Sequence, residues 1–400
     1  MRRIARGVSA LSGATYSALI PITALILLSP AEYGIFSIPY LIFSFGLSLQ
    51  LSIVTEAWTR RRVGDLSESG WPEFWTTLVS LSALVGLGAA TIVAIAVGIS
   101  SPWWLAGLSV ATALLRNGAR YFDVASRRGN AVTLADASGI VAFGVTFLLV
   151  LPVTDSFTAV LASWFASGLA SLVWTGARMW QFGAGPFTWI RIHKHHIRPL
   201  LTDSLLLDAG SIGTPFLLAP FLGATKFGIY RGISNVALPV RLILEPLRPS
   251  IGGQTPQSVF SARNVAFVLG LSAFLAVACF LALEWVVPLL DLQTSTLGAL
   301  TDFAMPASVF VVANFVGHYY YIVCRARSTQ HQIVVGRIAQ TAGAIVIPVL
   351  GFLAFDLDGA IWGFVGASAV SALVWAVIAW KATRGLPVRI MPSASGPAPL

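Results

Sequence analysis

The chain has 400 residues, 56% of them apolar and only 10% charged, with a formal net charge of +9. Ordinary soluble domains carry about 25% charged residues, so this composition excludes one and marks a membrane protein. Apolar segments of about 20 residues, long enough to span a bilayer, recur along the whole sequence. They leave no room for an attached nucleotide-binding or extramembrane catalytic domain.

Twelve spans are expected, centred near residues 18, 45, 87, 112, 141, 166, 211, 238, 275, 311, 342 and 370. The first follows MRRIAR and contains Pro21; its apolar run is too long for a signal sequence, so it reads as a retained helix. LSPAEYGIF, Leu28 to Phe36, turns the chain into the second span, which holds Pro39. The fourth carries Arg116, Arg120, Asp123 and Arg127, spaced 4, 3 and 4, which is one helical face. The fifth holds Asp136, and the sixth ends in SGLASLVW, Ser167 to Trp174.

A basic link, QFGAGPFTWIRIHKHH, follows. Its His193, His195 and His196 lack a nearby carboxylate or cysteine, so a solvated loop is expected rather than a metal cluster. Asp203, Asp208, Pro215 and Pro220 lie in the seventh span, and Asp208 has no cation within one turn. LGATKFGIY, Leu222 to Tyr230, opens the eighth. There Arg241, Glu245 and Arg248 share a face with Pro239 close by; at about 1.5 Å per residue Arg241 lies roughly 24 Å from the start at Thr225. The tenth span bears Pro306, Asn314, His318, Tyr319, Tyr320, Tyr321, Arg325 and Arg327, and the eleventh Arg337 and Pro348. Asp356-Leu357-Asp358 has the DxD spacing of metal-dependent glycosyltransferases but sits where an aspartate caps a helix start. SAVSALVW, Ser368 to Trp375, falls near the end, and PSASGPAPL, Pro392 to Leu400, is expected to be a disordered tail. Cys279 and Cys324, both within spans, imply neither a disulfide framework nor a metal site.

With Met1 placed inside, 23 of the 25 Lys and Arg residues fall on the inner side, and only Lys226 and Arg231 fall outside. That asymmetry is the positive-inside pattern. It accounts for the basic balance without nucleic acid and puts both termini in the cytoplasm of a bacterial plasma membrane.

The sequence repeats. LGATKFGIY follows LSPAEYGIF at a shift of 194, which also carries Pro21 onto Pro215, and SAVSALVW follows SGLASLVW at a shift of 201. The fold expected is all-α: two parallel six-helix lobes forming a V-shaped alternating-access transporter. Residues 1–181 make the first lobe, 182–197 a cytoplasmic linker, 198–385 the second lobe and 386–400 the tail. Pro21 and Pro215, with Gly34 and Gly228, are candidate bending points.

No Walker-type, HExxH or GxSxG motif occurs, so no enzyme activity, cofactor or metal is expected. Ionisable residues inside spans mark a bundle interior or a watery cavity. Arg116, Arg120, Arg241 and Arg337 are candidates for holding phosphate, since the guanidinium fork suits it; snorkelling to head groups is the structural alternative. Asp208, Asp136 and Glu245 are candidates for proton or sodium coupling, or for pairing with arginines on other helices. Asn314, His318 and Tyr319 could contact a sugar or form an interfacial belt. Lys226 and Arg231, which replace Glu32 and Ser37 of the first copy, are candidate outer-mouth cations.

SPAEYGIFSIPYLIFSF, LGATKFGIYRGISNVALPVRLILEPLRP and DLDGAIWGFVGASAVSALVW resemble bacterial polysaccharide and oligosaccharide flippases, of O-antigen type, in the multidrug/oligosaccharidyl-lipid/polysaccharide exporter superfamily. The resemblance implies that a polyprenyl-pyrophosphate-linked oligosaccharide moves from the inner to the outer leaflet. It implies as partners that lipid-linked glycan, membrane lipids, a coupling ion and polysaccharide polymerase or export machinery. A cation-coupled small-molecule exporter of the same superfamily is the alternative, ahead of a membrane-embedded glycan polymerase or glycosyltransferase.

Overall fold

The computed structural model describes residues 2–61, 70–99, 101–126 and 128–384, with the side chains of 2–11, 60, 61, 241, 245, 246 and 249 left aside. Arg127 and the 386–400 tail lie outside the described residues, as do the side chains of Arg241 and Glu245. The described residues are helical almost throughout and cross the apolar layer twelve times, so the all-α expectation holds. The first lobe contains Arg2–Leu27, Pro30–Gln50, Trp71–Val97, Trp103–Ala125, Gly129–Val150 and Ser156–Leu172. In the second, Pro186–Ser211 runs through a turn at Ile212 into Gly213–Val236, which breaks at Gly223 (φ +67°) and continues as Leu238–Gly252. Ala262–Leu281 and Ala304–Arg327 come next. The last two spans form one stretch, Gln330–Arg384, parted at Phe355 and Asp356.

Helix ends follow local chemistry. Ser29 and Glu32 form a reciprocal capping box, with the Ser29 N–H donating to Glu32 Oε2 at 2.9 Å, which satisfies donors the helix leaves open. Asp155 caps Ser156–Leu172 by accepting from the Thr158 N–H at 2.8 Å. Lipid offers no hydrophobic drive between helices, so close approach of small residues holds them. Gly86 and Gly107 lie where the third and fourth spans press together, and Gly351 faces Gly359 between the eleventh and twelfth.

The repeated segments meet each other. A Cβ on Gly34 would overlap the carbonyl oxygen of Ala224, and one on Gly228 would overlap that of Pro30. Since 30 and 224, like 34 and 228, stand 194 apart, the contact is reciprocal, as at a two-fold axis. Neither glycine breaks its helix here; both lie at a backbone-to-backbone crossing of the lobes. The prolines differ as well: Pro21 lies within an unbroken helix, whereas Pro215 lies in the first turn after Ile212. Around this crossing Asn235 Nδ2 donates to the Tyr33 hydroxyl, and Thr296 donates to the Leu28 carbonyl through its N–H (2.8 Å) and hydroxyl (2.9 Å).

The expected loop at 182–197 is helical from Pro186 onward. Trp189, His193 and Ile197, one stripe at spacing 4, are buried against the first lobe beside Trp58, Phe74 and Phe122. His193 stacks on Trp189 with ring centroids 4.0 Å apart. The second span widens into a π-turn at Leu51–Thr55, and Trp189 Nε1 donates to the Ile53 carbonyl there at 2.8 Å. Such turns release backbone groups from the regular ladder.

Candidate functional site: two polar centres and a seam

Among the described residues each lobe buries a polar centre. In the first, Asp136 accepts from Arg116 Nη2, from Arg120 Nε at 3.2 Å and from the Ser12 hydroxyl at 2.8 Å. The Arg116 guanidinium lies 3.5 Å from the centre of the Tyr16 ring, and the Tyr16 and Ser167 hydroxyls are 2.9 Å apart. Arg116 is only 3% exposed and Asp136 is fully buried. The cationic face expected on the fourth span is therefore turned into its own lobe, where two arginines share one carboxylate. Asp123, from the same stripe, pairs separately with Arg178 at 2.7 Å. Arg116 and Arg120 thus point at a carboxylate of their own lobe, Arg120 staying partly exposed beside a small pocket that both line, and Asp136 has its oxygens engaged by protein donors.

In the second centre the matching position carries the opposite charge. Trp103–Ala125 and Ala304–Arg327 begin 201 residues apart, as do Gly129–Val150 and Gln330–Arg384. That shift carries Asp136 onto Arg337, Arg120 onto Tyr321 and Trp174 onto Trp375. Arg337 donates to Gln340 Oε1 at 2.9 Å and to the Tyr321 hydroxyl at 2.5 Å. Its guanidinium lies 4.7 Å from the Tyr321 ring centre and 5.6 Å from that of Trp375. Its one carboxylate within ion-pair reach among the described residues is Asp203, at 3.5 Å from Nε. Asp203 is 40% exposed while Arg337 is 2% exposed, so a deeply buried cation is matched by a carboxylate at the surface of the cluster.

Asn314 and His318 share the face of the tenth span that bears Tyr321, at i, i+4 and i+7, with His318 and Tyr321 rings 6.4 Å apart. Asn314 Oδ1 is buried without a hydrogen-bond partner among the described residues. Tyr319 departs from the expected cluster. Its hydroxyl donates to Gln254 Oε1 at 2.9 Å and accepts from Asn264 at 2.8 Å, on another side of the helix. Tyr321 is the tyrosine that joins the arginine.

Between the lobes, Ser48 and Ser52 of the second span face Ser204 and Asp208 of the seventh, each pair spaced i, i+4. The hydroxyls of Ser52 and Ser204 lie 2.6 Å apart. Asp208 is 7% exposed, interacts with Ser48 across the seam and with Arg337 within its lobe, and its Oδ2 has no hydrogen-bond partner among the described residues. Ser48, Ser52 and Ser204 were missed in the sequence because isolated serines carry little signal. The i, i+4 spacing on two spans is the pattern that could have found them.

Of the expected outer cations, Lys226 is exposed and pairs with Asp356. Arg231 is 8% exposed, set at the crossing of the lobes beside Tyr33 of the first and Tyr230 of the second. The capping expected of Asp356 is replaced by that ion pair at a backbone break (φ +54°). No group of three or more His, Cys, Asp or Glu gathers among the described residues.

No protein-family model matches the chain, and no curated protein matches it. Solved structures do. An inward-facing multidrug resistance MATE family transporter of the MOP superfamily gives a TM-score of 0.61 at 14% identity, covering 93% of this chain and 94% of that chain. The Vibrio cholerae MATE transporter VcmN in its bent form gives 0.52 at 14% identity over 94% of each chain. The eukaryotic MATE transporter AtDTX14 gives 0.51 at 12% identity, over 95% of this chain and 96% of that one. The chain is a multi-pass membrane protein with the two-lobed, twelve-helix fold of MATE transporters.

Proposed function

We propose that the protein is a cation-coupled exporter of small organic molecules, set in a bacterial plasma membrane with both termini in the cytoplasm. The observation that carries this reading is Asp208. A carboxylate that is buried, set on the lobe seam and lacking a partner at one oxygen is costly to keep in an apolar layer and is a natural place to exchange a proton or sodium ion. Asp136, tied to two arginines, holds the first lobe together instead. The solved structures of this fold described as multidrug resistance transporters support the same reading. Expression in a bacterial host stripped of its own efflux pumps tests it: ethidium should accumulate less in cells carrying the protein than in controls, and equal accumulation argues against it.

One observation favours a second reading, the flipping of a polyprenyl-pyrophosphate-linked oligosaccharide. Arg337 is a deep cation with aromatic neighbours and a counter-ion at the edge of the cluster, an arrangement able to trade a carboxylate for a phosphate. Deleting the gene in its own host should then trap lipid-linked glycan on the inner leaflet; unchanged surface glycan with no accumulation removes this reading.

A further inference from the structure

The helix Pro186–Ser211 is about 39 Å long at 1.5 Å per residue, before the segment to Leu222 is added, against a hydrocarbon core of about 30 Å. Its first turns therefore stand outside the core, on the side of the molecule that holds both termini. One stripe of those turns, Trp189, His193 and Ile197, is committed to the first lobe. The face turned away carries Phe187, Arg191, Lys194 and Arg198, spaced 4, 3 and 4, all exposed. None of the three cations pairs with a described carboxylate within 4.0 Å.

Beside them the chain leaves large apolar groups uncovered: Phe187 is 85% exposed and Trp180 77%, with Phe182 and Ile190 also open. Water would leave such a fringe unsatisfied, and hydrocarbon would reject the three cations. The boundary between them suits both, because aromatic rings sit at headgroup depth while basic side chains meet lipid phosphates.

We propose that this face docks anionic phospholipid headgroups, with Arg191, Lys194 and Arg198 on the phosphates and Trp180, Phe182 and Phe187 at the acyl boundary. The occupant is a bilayer lipid rather than free phosphate, because the cations come with an apolar fringe that an inorganic ion cannot cover. The same helix carries Ser204 and Asp208 to the lobe seam, so this contact would anchor the element on which the seam is built.

The test measures lipid binding directly, independent of any transported solute. Full-length protein in neutral detergent is titrated with fluorescent phosphatidylglycerol and, separately, fluorescent phosphatidylcholine. Phosphatidylglycerol should bind at least about tenfold more tightly. The triple variant Arg191→Gln, Lys194→Gln, Arg198→Gln should lose roughly a hundredfold, at about fivefold per cation. A second triple, Arg263→Gln, Lys381→Gln, Arg384→Gln, removes equal charge elsewhere and should change affinity less than about threefold. Unfolding temperatures within about 2 °C of the parent would show both variants folded. Equal binding of the two lipids, equal losses in the two triples, or displacement by millimolar inorganic phosphate would each overturn the proposal.

Discussion

Replacing Gly34 by alanine adds one methyl group where the backbones of the two lobes touch. That methyl would overlap the carbonyl oxygen of Ala224, a backbone atom that cannot rotate away, so the lobes must separate there. Overpacking of this kind costs about 1–3 kcal/mol, partly offset by the roughly 0.5–1 kcal/mol that alanine gains over glycine in a helix. Gly228→Ala meets the Pro30 carbonyl in the same way and should behave alike. The double variant should cost less than the sum, since a separation made for one methyl also accommodates the other. Gly88→Ala and Gly270→Ala, whose added Cβ would meet nothing within 4 Å, carry only the helix gain and serve as controls. A shift of 1–3 kcal/mol changes the ratio of touching to separated lobes by about 5- to 150-fold. Spin labels on exposed Val153 of the first lobe and Leu290 of the second would report that ratio as a distance distribution. Gly34→Ala should populate a longer distance and Gly88→Ala should match the parent. Equal distributions in all variants would refute a rigid crossing at this point.

Other outcomes follow from the polar centres. Asp136→Asn leaves the buried Arg116 and the partly exposed Arg120 without their counter-ion, so a loss of about 3–5 kcal/mol is expected, read as a sharp fall in unfolding temperature and yield. Lys226→Ala should change stability by less than about 1 kcal/mol in the same assay, because its ion pair with Asp356 is exposed to water. Asp155→Ala should cost about 1 kcal/mol through loss of the cap on Ser156–Leu172, whereas Asp356→Ala, at the matching position of the second lobe, should cost less. Tyr321→Phe removes the hydroxyl that accepts from Arg337 while keeping the ring beneath it. It should weaken the second centre by about 1–3 kcal/mol in unfolding experiments, with Tyr319→Phe as a comparison on the far side of the helix.

The spans, the duplication and the twelvefold crossing were legible in the sequence because apolar length and repeated strings report them directly. The partners of the charges were not. The stripe Arg116, Arg120, Asp123 implied a common face, but a face has two possible destinations, and only packing against Gly129–Val150 turned it inward onto Asp136. Likewise Tyr319 and Tyr321 look equivalent in a run of three tyrosines, yet residues two apart on a helix point about 200° from each other. The linker read as a loop because its polarity resembled solvent, while Trp189, His193 and Ile197 at spacing 4 already described a buried stripe. The mismatch of Glu32 with Lys226 also has a local origin. One caps its own helix, and the other bonds a backbone break across the lobe.

The central claim is that Asp208 couples ion movement to solute movement across the lobe seam. The direct measurement is ethidium transport in proteoliposomes, comparing gradient-driven accumulation with exchange at equal ion concentrations for the parent and Asp208→Asn. The variant should keep exchange within about threefold of the parent but lose accumulation under either a proton or a sodium gradient. Accumulation retained by Asp208→Asn would contradict the claim.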